Sequence, residues 1–183
     1  MSQVASTLPL LATTALAEPL AWRAGKAISA GQFIAEATAL AATLPDGRPV
    51  NLCHDRYLFA LGLAAALLRG QTSLMPPNAL PDTLRQIPAA GGAPYLLVDD
   101  DALDASTLPL LKLQRPLGLA PATAVPQIPV ALQAVCLLTS GSTGAPQPHA
   151  KCWGPLVANI RSEAQRLAEL MGRPDLRGLT IVA

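Results

Sequence analysis

The segment Thr139-Ser140-Gly141-Ser142-Thr143-Gly144-Ala145-Pro146-Gln147 holds the residue types in this chain best suited to chemistry. Its hydroxyls can donate to anionic oxygens. Gly141 and Gly144 permit backbone shapes that turn N–H groups into one concavity. Such a set suits a polyphosphate, whose charge a basic group would balance. Lys151 is the nearest cation, followed by Arg161 and Arg166, and His149 is a weaker candidate. The kinase-type P-loop, G-x-x-x-x-G-K-[ST], does not fit, because the lysine position counted from Gly141 falls on Gln147. Taken as composition alone, the same residues describe an ordinary polar surface loop, which is the commoner case.

A phosphate loop needs a strand to deliver it and an element to receive it. Residues 133–138 form an apolar run that reads as a strand entering the loop. An amphipathic helix is expected over 155–171, with Leu156, Ile160, Leu167 and Leu170 on one side and Gly172 and Pro174 ending it. Upstream, the opening to about residue 27 reads as an irregular arm or edge strand around Ala21-Trp22-Arg23. Ser29, with Gln32 three residues on, predicts a capping box for a helix carrying Phe33, Ile34, Ala37, Leu40, Ala41 and Leu44. Residues 49–53, 72–75 and 95–98 read as strands, and Asp55 caps a nearly all-apolar helix over 56–69 that Gly70 ends. Another amphipathic helix is expected over 81–89, and 101–130 reads as a Pro-rich meander. The alternation predicts an α/β fold with a mostly parallel sheet, right-handed crossovers and helices on both faces.

The order T-S-G-S-T-G-x-P resembles the phosphate-binding loop of the adenylate-forming superfamily. Acyl-CoA synthetases, aryl-acid ligases, luciferases and peptide-synthetase adenylation domains belong to it. The resemblance extends to Trp22-Arg23-Ala24-Gly25-Lys26-Ala27-Ile28-Ser29, to Gln32-Phe33-Ile34, to the strand–alanine-rich helix–strand run over 50–76, to Asn78 with Pro81-Asp82-Thr83-Leu84, and to Val157-Ala158-Asn159. It implies that residues 1–183 are the N-terminal part of a ligase's large domain. The intact enzyme would activate a carboxylic acid with ATP and Mg²⁺, then pass the acyl group to CoA or a carrier-protein thiol. The implied phosphate-binding set is Thr139, Ser140, Gly141, Ser142, Thr143, Gly144, Gln147 and Lys151, with Thr143 toward the metal. No catalytic residue is assigned within the chain, so this part alone is expected to be inactive. One departure matters. The family usually has Lys after the Pro, and Gln147 keeps hydrogen-bonding ability without the charge. A weaker, narrower resemblance is to AMP-ligases of bacterial pigment and polyene pathways.

Bulk properties fit this reading and remove others. About half the chain (51%) is apolar and 14% is charged, which excludes a disordered class. A net charge of +1 without a basic stripe lacks the footprint of a nucleic-acid binder. The odd set Cys53, Cys136 and Cys152 contains no C-x-x-C pair, so reduced thiols in a cytoplasmic protein are the expectation. The apolar stretch 8–17 lacks the basic flank of a signal peptide, and no run is long enough to span a membrane. An exposed strand edge over 179–183 would favour self-association. The rival reading is a non-catalytic nucleotide- or phosphate-binding module, or a partner-binding one.

Overall fold

The computed structural model describes residues 6–89, 91–100, 108–140 and 146–176. In chain order its first elements are β1 (Thr7–Pro9), β2 (Pro19–Arg23), β3 (Lys26–Ser29), α1 (Ala30–Ala41), β4 (Arg48–Asn51), α2 (Arg56–Leu68) and β5 (Ser73–Met75). Then come α3 (Pro81–Arg85), β6 (Pro94–Val98), β7 (Leu110–Lys112), β8 (Gln127–Pro129), β9 (Gln133–Ser140), β10 (Pro146–Cys152) and α4 (Trp153–Leu170).

A six-stranded sheet runs β10-β9-β5-β4-β6-β7. Its β9-β5, β5-β4, β4-β6 and β6-β7 pairings are all parallel, and β10 closes one edge antiparallel. Tyr95 and Leu97 of β6 face a cluster built from α1 and α2. Leu96 and Val98, one residue out of phase, face a second cluster that holds Leu84 and Ile87 from α3 and the turn after it. The predicted mostly parallel α/β sheet with helices on both faces is therefore the observed one. Strand β6 is apolar and buried along its whole length because both faces are covered.

The helix starts follow from side-chain caps. The Ser29 hydroxyl accepts from Gln32 N at 3.1 Å, and the Asp55 carboxylate accepts from Leu58 N at 3.0 Å. The capping box is half made, since the Gln32 amide turns away and donates to Glu36 Oε1 at 3.0 Å. Gly70 ends α2 with φ +69°, a left-handed shape that glycine adopts without strain. Gly62 lets α2 lie close on the sheet. A Cβ there would stand 2.8 Å from Asn51 Nδ2 and 3.1 Å from Leu113 Cδ1.

The strand expected around Ala21-Trp22-Arg23 is β2, paired with β3, and the opening arm also contributes β1, paired with β8. Three expectations need correction. The 101–130 meander contributes β7 to the main sheet and β8 to the pair with β1. The expected 81–89 helix stops at Arg85, before Pro88, whose preceding residue is pushed out of the helical region. The loop after β9 leads into strand β10, and only then into α4. The strand expected over 179–183 lies outside the described residues. No helix among the described residues is long and apolar enough to cross a membrane.

Candidate functional site

β9 and β10 pair antiparallel as the two arms of a hairpin, and the residues between them, 141–145, lie outside the described residues. Pro146 stands opposite Ser140, Gln147 opposite Thr139, and Lys151 opposite Val135. On the other side of β9, Met75, the last residue of β5, is level with Leu137. The hairpin therefore runs three residues past the end of β5, roughly 10 Å at a strand's rise. It projects from the carboxyl ends of the parallel strands, the edge at which open α/β sheets bind ligands.

The predicted residues fall into three groups. Thr139 and Gln147 face each other across the hairpin and are exposed, and the Thr139 hydroxyl donates a long hydrogen bond to Gln147 O at 3.5 Å. Ser140 ends β9 beside them. Gly141, Ser142, Thr143 and Gly144, including the metal assignment to Thr143, lie outside the described residues. Lys151, the cation nearest the loop in the sequence, is set apart from it by strand β10. It lies five residues beyond Pro146 at the far end of β10, roughly 16 Å along the strand. The reason is local: residues 147–152 are a paired strand, whose rise of about 3.3 Å per residue carries Lys151 away from the loop. By strand alternation Gln147, His149 and Lys151 share the face that carries Thr139, so His149 is the nearer of the two basic side chains.

The same rim carries a group that the sequence reading did not single out. His54 follows β4 and Asp99 and Asp100 follow β6, neighbouring strands in the sheet. His54 Nδ1 lies 3.0 Å from Asp100 Oδ2 and 3.9 Å from Asp99 Oδ1. The Asp99 carboxylate also accepts from the backbone N of His54 at 3.0 Å and of Asp55 at 2.6 Å. Asp55 in turn pairs with Arg23 at 2.7 Å while capping α2. Burial would raise the Asp55 pKa, but bonds from Arg23 and Leu58 N hold it below the usual range. Together these contacts tie β2, α2 and the end of β6. The acidic residues after Val98 were the available signal, but only the sheet order brings His54 to them.

Cys53 sits beside this rim and is buried. Burial, reinforced by the charges of Asp99, Asp55 and Asp100, pushes its thiol up to about 12, so it is not a thiolate nucleophile at neutral pH. A groove of about 340 Å³ is lined by Arg48, Thr72, Gly91, Gln133, Cys136, Pro148 and Ala150, among them the first residues of β4 and β9.

No protein-family profile and no curated protein matches the chain. Solved structures do. The o-succinylbenzoate CoA synthetase MenE from Bacillus subtilis, bound with a product analogue, superposes with a TM-score of 0.58 at 17% identity, over 86% of this chain and 33% of that one. A fatty acyl-adenylate ligase from L. pneumophila, in complex with acyl adenylate and pyrophosphate, gives 0.56 at 20% identity, over 74% of this chain and 27% of that one. The N-terminal subdomain of Klebsiella oxytoca NpsA gives 0.50 at 21% identity, over 71% and 36%. The chain thus has the fold that these proteins share over the matched region. It spans about a third of the length of the MenE chain.

Proposed function

We propose that this chain is the front part of an adenylate-forming ligase that activates a carboxylic acid with ATP. The observation that carries the reading is the hairpin. The T-S-G-S-T-G-x-P sequence begins with the last two residues of β9 and ends on the first residue of β10, at the carboxyl edge of a parallel sheet whose fold recurs in a CoA synthetase and an acyl-adenylate ligase. MenE from Bacillus subtilis has been solved in complex with AMP and with ATP and magnesium ion. The donors here, hydroxyls and backbone N–H groups with no carboxylate among them, fit phosphate oxygens.

In this reading ATP supplies an electrophilic α-phosphorus, and Mg²⁺ offsets part of its charge. The substrate carboxylate forms an O–P bond there as the bond to the β-phosphate oxygen breaks, and pyrophosphate leaves. Thr139, Ser140, Ser142 and Thr143 offer hydroxyls to the phosphates, and Gly141 and Gly144 offer backbone N–H groups. The Thr143 hydroxyl would also approach the metal. Gln147 offers an amide N–H where a charge is usual. Lys151 stands too far down β10 to touch a phosphate held at the tip, so its charge acts at a distance. The acyl group then passes to a thiol, of CoA or of a carrier protein. Residues 1–183 alone carry out no adenylation, and the intact enzyme works in the cytoplasm.

Carboxylate-dependent exchange of labelled pyrophosphate into ATP tests the reading in the intact ligase that carries this chain at its front. Exchange that falls with Ser142→Ala or Thr143→Ala supports it. Nucleotide binding without exchange favours a non-catalytic module.

A further inference from the structure

The carboxyl rim of the sheet gathers a set of donors that the ligase reading does not use. His54 follows the end of β4, and Asp99 and Asp100 follow the end of β6, its hydrogen-bonded neighbour. One atom from each, an imidazole nitrogen and two carboxylate oxygens, lies within 4.8 Å of the other two. His54 Nδ1 is 3.0 Å from Asp100 Oδ2 and 3.9 Å from Asp99 Oδ1. A tetrahedral ion about 2.1 Å from each donor would hold those donors about 3.4 Å apart. The two distances bracket that value, so modest side-chain rotations bring the three donors onto one ion.

Burial gives an independent reason for a cation here. The Asp99 side chain is only 8% exposed. A carboxylate charge taken out of water is costly unless a cation or a metal ion stands beside it. Among the described residues no lysine or arginine pairs with Asp99, whereas the neighbouring Asp55 has Arg23. The backbone N–H groups of His54 and Asp55 donate to Asp99 Oδ1 and Oδ2, one to each oxygen. They fix the carboxylate in place and leave each oxygen a second lone pair for a metal. Asp100 and His54 stand further out, 43% and 76% exposed, so an ion can enter from solvent and keep water in its remaining positions. The donor mix also sets the metal class. An imidazole favours zinc-like transition ions over Mg²⁺ and Ca²⁺, which take oxygen donors.

We propose that His54, Asp99 and Asp100 form a binding site for a divalent transition-metal ion of the zinc class, which clips the carboxyl end of β4 to that of β6. This ion is distinct from the Mg²⁺ of the ligase reading. The site stands or falls independently of that reading.

Calorimetric titration of the metal-free chain with Zn²⁺ tests the proposal, with Co²⁺ as a spectroscopic probe and Mg²⁺ as the contrast. One equivalent of Zn²⁺ binds and raises the melting temperature, and Mg²⁺ at the same concentration does neither. His54→Ala and Asp100→Asn each weaken Zn²⁺ binding at least about tenfold. Neither side chain belongs to the core, so the circular dichroism of both variants stays that of wild type. Bound Co²⁺ shows no thiolate charge-transfer band. Absence of Zn²⁺ binding overturns the proposal, and so does equal binding of Mg²⁺. Binding that survives His54→Ala overturns it too, as does binding lost in Cys152→Ser, which places the ion at the half-buried thiol instead.

Discussion

The Arg115 guanidinium lies 2.7 Å from the fully buried Glu36 carboxylate and joins segments 79 residues apart in the chain. Tyr57 donates to the same carboxylate at 2.6 Å and Gln32 at 3.0 Å, and the guanidinium sits 5.6 Å from the centre of the Tyr57 ring. One cluster thereby holds α1, α2 and the strand-poor crossing after β7 as a unit. Burial would raise the Glu36 pKa, but bonds from Arg115, Tyr57 and Gln32 outweigh it and hold the group below its usual value. Removing Arg115 alone leaves a buried, uncompensated charge. Arg115→Leu is expected to cost about 3–5 kcal/mol, read by urea unfolding. Glu36→Leu combined with Arg115→Leu should cost much less than the sum of the single changes.

The same cluster sets an acid limit. Glu36 and Asp55 both have folded-state pKa values below their unfolded ones. An unfolded carboxylate titrates near about 4, so the unfolded chain takes up protons first as pH falls. The stability these groups contribute is complete above that pH and is lost as pH falls through the lower, folded-state values. Unfolding free energy should therefore fall below about pH 4. The fall should be shallower in Arg115→Leu, where the partner that depresses Glu36 is gone.

Gly62 fixes how closely α2 lies on the sheet. Gly62→Ala would place a methyl 2.8 Å from Asn51 Nδ2, a buried amide already donating to Phe59 O at 2.8 Å. The helix must shift or that bond must break, at a cost of about 1–3 kcal/mol. A melting temperature equal to wild type would contradict this packing.

The three thiols should react unequally. Cys53 and Cys136 are buried and Cys152 is half-buried, and the Cys53 thiol is pushed up to about 12. An alkylating agent at neutral pH should therefore modify Cys152 fast and the other two only on unfolding. Mass spectrometry of time points checks the order, and early labelling of Cys53 would contradict the described burial.

Much of this arrangement was legible because local signals and burial agreed. Ser29 and Asp55 marked helix starts that the structure keeps, and Tyr95-Leu96-Leu97-Val98 is apolar throughout because helices cover both faces. What stayed hidden depends on long-range pairing. Nothing local in Pro146-Gln147-Pro148-His149-Ala150-Lys151 announces a strand, since prolines interrupt it and its ladder exists only because β9 supplies one. That strand is what carries Lys151 away from the loop. His54 likewise gains Asp99 and Asp100 as neighbours only through the β4–β6 pairing.

Charge at the hairpin follows from the same geometry. Gln147→Lys should strengthen ATP use in the intact ligase by about tenfold, because it adds a charge-assisted contact near the phosphates, worth about 1.5–3 kcal/mol less the cost of ordering the side chain. Lys151→Ala should change it by less than about threefold, since the screened charge lies well along β10. The ATP concentration dependence of pyrophosphate exchange reads both, and a larger loss from Lys151→Ala than from Ser142→Ala would contradict the hairpin geometry.

The central claim is that the hairpin tip holds the phosphates of ATP while a carboxylate is adenylated. Exchange of labelled pyrophosphate into ATP, measured on the intact ligase with a panel of acyl and aryl acids, tests it most directly. Exchange should require one of the acids and fall at least about a hundredfold in the Ser142→Ala, Thr143→Ala double variant. Exchange that persists unchanged in that variant would contradict it, as would ATP binding with no exchange for any acid.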